Sequence, residues 1–208
     1  MFITFEGIEG AGKGTLITFV AQWLEANKKT FVSTREPGGS QLGSRLRTIL
    51  LDSSTKIVPD AEMFLYLADR AQHVAEVIRP ALENGDIIIC DRYADSNIVY
   101  QGYGRGLDVE ELYELNNRAV RNLWPDITFL LDLPPETGLR RALKRNDELG
   151  IAETEGRFEA ENLAFHSRIR NGFLTWAQRH AHRFVILDAS KEPEEVWRQA
   201  LSRLEQIP

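Results

Sequence analysis

The sequence predicts an α/β fold, a parallel sheet with helices on both faces. Three observations carry that expectation. Five short apolar runs recur along the chain, helical patterns fill the gaps between them, and a glycine-rich turn joins the first run to the first helix.

The runs are FITF at 2–5, TFVST at 30–34, IIIC at 87–90, ITFLL at 127–131 and RFVIL at 183–187, each the length of a strand. IIIC and ITFLL lack polar alternation, which suits central strands covered on both faces. Asp91 and Asp132 then stand at the carboxyl ends of strands, where open parallel sheets bind ligands. The clearest helix is GTLITFVAQWLEA, in which Leu16, Phe19, Val20, Trp23 and Leu24 recur at helical spacing. EMFLYLADRAQHVAEVIRPALENG reads as a long helix, broken near its end by Pro80 and stopped at Gly85. The polar segment 146–156, NDELGIAETEG, holds two glycines and interrupts two helical patterns, so a mobile surface loop is expected there. No repeat or linker divides the 208 residues, and a single domain over 1–208 is expected.

A hydrophobic content of 43% is enough for a sizeable core, while a net charge of −6 without any basic block argues against a nucleic-acid partner. The lone Cys90 cannot form an intramolecular disulfide and sits inside IIIC, which points to a reducing, cytoplasmic setting. No stretch approaches the ~18 apolar residues of a membrane span, and MFITFEG carries no leader signature, so a soluble protein without a membrane partner is expected.

Chemistry first shows at Gly7-Ile8-Glu9-Gly10-Ala11-Gly12-Lys13, a GxxxxGK pattern set between a strand and a helix. Glycines let the backbone wrap phosphates with its N–H groups inward, the helix N-terminus adds partial positive charge, and Lys13 can reach a transferring phosphoryl group. A solvated lysine on a glycine-rich turn is the plain alternative, and the strand-to-helix placement weighs against it. The pattern departs after the lysine. Gly14 stands where a hydroxyl normally meets magnesium, and Thr15 follows. The GKGT ending resembles that of adenylate kinases, which implies that Mg2+ is held through water and the carboxylates Glu9 and Asp91. No NKxD-type guanine signal follows.

A second constellation is Asp91-Arg92-Tyr93 with Ser96, Asn97, Tyr100 and Gln101, in DRYADSNIVYQGYGRG. A strand-end carboxylate can organise hydrated magnesium, and the adjacent arginine can bridge two phosphate groups.

With FEGIEGAGKGT, TREPGGSQLGSRLRTILLD, FLYLADRAQHV, PDITFLLDLPPETGLRRALKR and GRFEAENLAFHSRIRNGFLTWA, this stretch makes six ordered matches from residue 2 to about residue 190. In these the chain resembles the thymidylate kinases. The resemblance implies an adenylate-kinase-like P-loop NTPase fold with a five-stranded parallel sheet, a lid near 146–156, a homodimer, and phosphate transfer from MgATP to dTMP. Gly7 through Thr15 would hold ATP together with Arg141, Arg145 and Arg157 from the lid side, because Ala11 leaves the turn without an arginine. Tyr66 would stack on the base while Arg70, four residues on and on the same helix face, donates to its O4. Asn97 would bond the N3 edge with Gln101 nearby, Tyr100 would crowd a 2′-hydroxyl, Pro37 would pack near the thymine methyl and Arg35 near the acceptor phosphate. Lys13, Arg92, Glu9, Asp91 and Arg145 are the expected catalytic set. A related kinase for another nucleotide, or a protein that binds ATP without turnover, would share the turn. The retained Lys13, Asp91 and Arg92 weigh against the latter. The four histidines, at 73, 166, 180 and 182, are not spaced as a metal site.

Overall fold

The computed structural model describes residues 1–206. Strands β1 (Phe2–Glu6), β2 (Phe31–Arg35), β3 (Ile87–Asp91), β4 (Ile127–Asp132) and β5 (Phe184–Asp188) form one parallel sheet in the order β2-β3-β1-β4-β5. The runs without polar alternation occupy the centre, as their composition requires, and β2 and β5 lie at the less buried edges. Successive residues of a strand enter opposite layers: Ile3, Phe5 and Ile89 join one apolar cluster, Phe2, Ile88 and the free thiol of Cys90 the other.

Helix α1 (Lys13–Ala26) starts at Gly12, whose φ of 96° is left-handed, and buries Leu16, Val20 and Leu24. Helix α2 (Gln41–Leu51) is capped by Ser40, whose hydroxyl accepts from the Gly43 N–H at 2.9 Å. The long helix expected around Pro80 is continuous but changes pitch: α3 (Pro59–His73) passes through a π-helical turn, Val74–Ile78, into α4 (Arg79–Glu83). Pro80 lacks an N–H, and the wider turn before it absorbs the register change where a break was expected. A second π-helical stretch, Ile98–Gly104, extends the short α5 (Ala94–Asn97). Helices α6 (Val109–Val120), α7 (Pro135–Leu149), α8 (Ala152–Glu155), α9 (Leu163–Arg179) and α10 (Pro193–Leu204) complete the fold.

The segment 146–156 is largely helical rather than a loop. Its first four residues are the last turn of α7, closed by Gly150 at a φ of 65°, and α8 follows. Its alanine, leucine and glutamate residues favour helix, and the polarity that suggested a loop is solvent exposure. The segment is tied down, since the Ser53 N–H and hydroxyl donate to the Glu153 carbonyl at 3.1 and 2.9 Å. Among the described residues no helix is long and apolar enough to cross a membrane.

Candidate active site

The carboxyl ends of β2 and β3 and the turn after β1 border a cavity of about 440 Å³. Glu9, Gly10, Ala11, Gly12, Lys13, Gly14 and Thr15 line it. Gly7 and Ile8 lie behind, and their carbonyls accept from Lys13 Nζ at 3.2 and 3.1 Å. Burial, with the neighbouring Arg92 guanidinium, pulls the Lys13 ammonium down to about 8. A Cβ on Gly10 would fall 2.1 Å from the Gly138 carbonyl oxygen, and one on Gly138 would fall 2.5 Å from that of Glu9. Only two glycines allow α7 to sit this close to the turn. Arg141 and Arg145, three and seven residues beyond Gly138, share a helix face and both reach the cavity. A Cβ at Gly14, by contrast, would meet nothing within 4 Å.

Glu9 and Arg92 join the two sequence constellations. Arg92 Nη2 lies 2.9 Å from Glu9 Oε1, the Tyr100 hydroxyl donates to the same oxygen at 2.5 Å, and His166 Nδ1 comes within 3.4 Å of Oε2. Burial alone would raise this carboxyl, but Arg92, His166 and Lys13 reverse it and hold Glu9 at about 2. Arg92 also donates to the Gly7 carbonyl at 2.9 Å, and its guanidinium lies 5.0 Å from the Tyr100 ring centre. Its φ of 64° is costly for a residue with a Cβ. Glu6, fully buried at the end of β1, holds the turn. It accepts from the Tyr93 and Ser96 N–H groups at 2.9 and 3.3 Å and from the Ser96 hydroxyl at 2.5 Å.

Tyr66, Arg70, Asn97, Tyr100, Gln101, Arg35 and Pro37 line the same cavity. Burial raises the Tyr66 phenol well above its usual range. Arg70 is far more engaged than an exposed donor. Its Nη2 lies 2.7 Å from Glu36 Oε2 and donates to the Tyr93 carbonyl at 3.0 Å, and its Nη1 donates to Asn97 Oδ1 at 3.2 Å and Asn116 Oδ1 at 2.8 Å. Nε is buried without a partner among the described residues. Asn97 Nδ2 donates to Gln101 Oε1, four residues on, at 2.8 Å, and the Tyr100 hydroxyl turns to Glu9.

Arg157 is the correction. It does not line the cavity: Nη1 donates to the Leu50 carbonyl at 2.9 Å and Nη2 pairs with the buried Glu62, so it ties the segment after α8 to α2 and α3. Arg145 remains half exposed at the cavity, 3.2 Å from Glu159 Oε1. Glu159 and Glu36 also line the cavity and were missed as site residues, and Ser96, named in the second constellation without a role, lines it too. They lay inside the quoted motifs GRFEAEN, REPGG and DRYADSN, but a carboxylate or hydroxyl there gave no spacing signal of its own.

Asp91 ends β3 in register with Arg35 and Phe5. Its Oδ1 is buried and has no hydrogen-bond partner among the described residues, a donor set that fits a hydrated cation. Among the described residues no three His, Cys, Asp or Glu side chains form a metal cluster. A site completed by substrate phosphates and water needs none.

A parallel sheet in this order, with a strand–turn–helix cradle and a buried lysine behind it, defines a P-loop NTPase. The sequence pattern of the thymidylate kinase family matches residues 5–200, and the chain belongs to that family. It is 58% identical over 208 residues to a thymidylate kinase of Nitratidesulfovibrio vulgaris, covering 100% of this chain and 97% of the relative. A thymidylate kinase of Oleidesulfovibrio alaskensis is 56% identical, with 100% and 98% covered. A crystal structure of thymidylate kinase from Ehrlichia chaffeensis superposes with a TM-score of 0.77 at 30% identity, covering 98% of each chain.

Proposed function

We infer that this chain is a dTMP kinase, which transfers the ATP γ-phosphate to dTMP to give dTDP and ADP for dTTP synthesis. The observation that carries the reading is the continuous cavity, which Lys13 and its cradle, Arg92, Arg70, Asn97 and Gln101 all line. A nucleoside monophosphate has a second phosphate pKa of about 6, so the attacking oxygen is already anionic at neutral pH and no general base is required. The chain's task is to align two polyanions and offset their repulsion.

Lys13 exchanges the Gly7 and Ile8 carbonyls for phosphoryl oxygens, and the added negative charge returns its pKa toward the usual lysine range. Arg92, held on a fixed turn, spans the two phosphate groups. Arg141 and Arg145 approach from α7 to stabilise charge on the transferring group. Arg35 serves the acceptor phosphate, Tyr66 the face of the base and Pro37 its methyl. Magnesium bound with ATP would neutralise phosphate charge, with Asp91 as the available carboxylate. Glu9 would join through Oε2, which is buried without a hydrogen-bond partner among the described residues and lies 3.4 Å from His166 Nδ1.

The segment around α8 is the lid, and the chain acts as one unit. Exposed Leu42 and Ile49 on α2 and Phe64 on α3 support a homodimer, and the buried free cysteine supports a cytoplasmic setting. Measuring ADP release with dTMP, dUMP, dCMP, UMP, AMP and thymidine tests the assignment, and dTMP should lead. Preference for AMP, or ATP binding without turnover of any monophosphate, would overturn it.

A further inference from the structure

Arg145 has a charge to deliver to the transferring group, but its side chain is half exposed and, left to itself, would spread over several rotamers. The structure removes that freedom on one edge of the guanidinium. Nε and Nη2 both donate to Asn146 Oδ1, at 3.1 and 2.8 Å, and Nη2 also lies 3.2 Å from Glu159 Oε1. Consecutive residues of a helix do not ordinarily face one another, so helical spacing alone does not produce this contact. Arg145 lines the cavity, and among the described residues no hydrogen bond engages its Nη1, which leaves donors for a phosphoryl oxygen.

Asn146 is a fixed acceptor. It is 1% exposed and does not line the cavity, and its backbone carbonyl accepts from the Ile151 N–H at 3.0 Å where the last turn of α7 closes. A guanidinium only donates, so the amide must present its oxygen to Arg145 and turn its NH2 away. That leaves Nδ2 buried without a hydrogen-bond partner among the described residues. An unpaired buried donor is costly, and an apolar residue at 146 would avoid the cost. Among the described residues the grip on Arg145 is the one hydrogen-bonded use of this carboxamide. The second contact comes from Glu159, in the segment that Arg157 ties to α2 and α3. Arg145 is therefore held both by its own helix and by a docked segment 14 residues on.

We propose that Asn146 is a positioning residue for Arg145. Its side-chain oxygen grips the Nε–Nη2 edge, with Glu159 beside it, and presets the guanidinium at the cavity before the transferring phosphoryl group arrives. A preset donor needs little reorganisation as charge develops, so the benefit falls on kcat rather than on acceptor binding. The proposal rests on the reading that Arg145 stabilises charge on the transferring group.

The test is a double-mutant cycle of Asn146→Leu and Arg145→Ala, with kcat, KM for both substrates and melting temperature measured for each protein. Leucine has nearly the shape of asparagine and no acceptor. Arg145→Ala should lower kcat by about 10²–10³. Asn146→Leu should lower it about tenfold with KM for dTMP changed by less than about twofold. In the Arg145→Ala background the same substitution should leave kcat where it was, because the group it positions is gone. An equal loss in both backgrounds would make Asn146 a residue of the fold and overturn the proposal. So would an unchanged kcat in Asn146→Leu while Arg145→Ala is impaired, since Arg145 would then need no grip. Full kcat in Arg145→Ala is a separate failure: the role of Arg145 itself falls first, and the proposal with it. Should the leucine variant not fold, Asn146→Ala carries the same cycle, as alanine favours the helix.

Discussion

The Tyr100 hydroxyl donates to Glu9 Oε1 at 2.5 Å, the oxygen that also receives Arg92 Nη2 at 2.9 Å. Tyr100 thereby joins the phosphate turn to the acceptor wall, while its ring packs edge-on against Phe158, Phe165 and Phe173. Its two contributions separate chemically. Tyr100→Phe keeps the ring contacts and removes one donor to a carboxylate, a loss of about 1.5–3 kcal/mol. We expect kcat/KM for dTMP to fall roughly tenfold or more, with the preference for dTMP over ribothymidine monophosphate retained, since the ring that we propose crowds the sugar is unchanged. Tyr100→Ala opens the aromatic cluster and should cost about 3–5 kcal/mol of stability. Steady-state kinetics with both nucleotides and a thermal melt check this. A ratio lost in Tyr100→Phe would assign sugar choice to the hydroxyl instead.

Lys13 gives the free enzyme a pH limit. Its ammonium, held at about 8 by burial and Arg92, is charged below that pH and neutral above it. ATP needs the charged form, so binding above pH 8 must take up a proton. We expect kcat/KM for ATP to be flat from pH 6.5 to 7.5 and to fall by about tenfold per unit beyond the break. In Lys13→Ala, turnover should drop by about 10²–10³, and the break near pH 8 should vanish from the residual rate. A break that persists in the variant belongs to another group.

The sheet was legible because its central strands are continuous apolar runs, and β3 and β4 appear where IIIC and ITFLL placed them. The phosphate cradle was legible because glycine spacing records a backbone need. Gly10 is the clear case, since nothing larger fits beside Gly138. Spacing could not reveal Glu6, Glu36 or Glu62. Each acts through partners at least 25 residues away in the chain, and an acidic residue in a helix or at a strand end reads as surface until its burial is known. Arg157 was misplaced for the complementary reason. Its charge suited a lid arginine, but the pairing with Glu62 depends on how α8 docks on α2 and α3. Asn97 bonds to Gln101, a four-residue spacing that a 3.6-residue period allows as readily as the three-residue spacing to Tyr100, so the period alone could not choose between them.

Glu6 should make stability fall with pH across the neutral range. Burial and the neighbouring Asp95 raise its carboxyl from the ordinary 4.5 to about 7, against opposing contributions from Arg92 and Ser96. Asp95 is itself paired with Arg183 at 2.7 Å, so its charge persists. A folded-state pKa above the unfolded one gives stability that is fully present below about 4.5 and lost as pH rises through about 7. Glu6→Gln removes that proton linkage. In urea melts at pH 5, 6, 7 and 8, the unaltered protein should lose on the order of 2–3 kcal/mol relative to the variant between the ends of the series. Parallel curves for the two proteins would show that Glu6 is ionised throughout.

Arg70 requires a gentler substitution than alanine. Its guanidinium spans Glu36, the Tyr93 carbonyl, Asn97 and Asn116, and the side chain is 1% exposed. Truncation would leave Glu36 buried opposite no cation, a cost of about 3–5 kcal/mol that would mask any effect on ligand binding. Arg70→Lys keeps the positive charge near Glu36 but replaces a planar fork by a single ammonium, which cannot reach the same four partners and has no counterpart of Nε. The base edge should therefore lose its donor while the fold survives. Calorimetric titration of the folded variant is expected to show dTMP weakened by about ten- to hundred-fold and ATP by less than about threefold, because Lys13 and its turn are untouched. His73, held between Glu36 Oε1 at 2.8 Å and Thr34 at 2.7 Å, should keep Glu36 in place during this change. If both ligands weaken by the same factor, Arg70 serves the integrity of the helix pair and not the base. If neither weakens, the acceptor base lies elsewhere in the cavity.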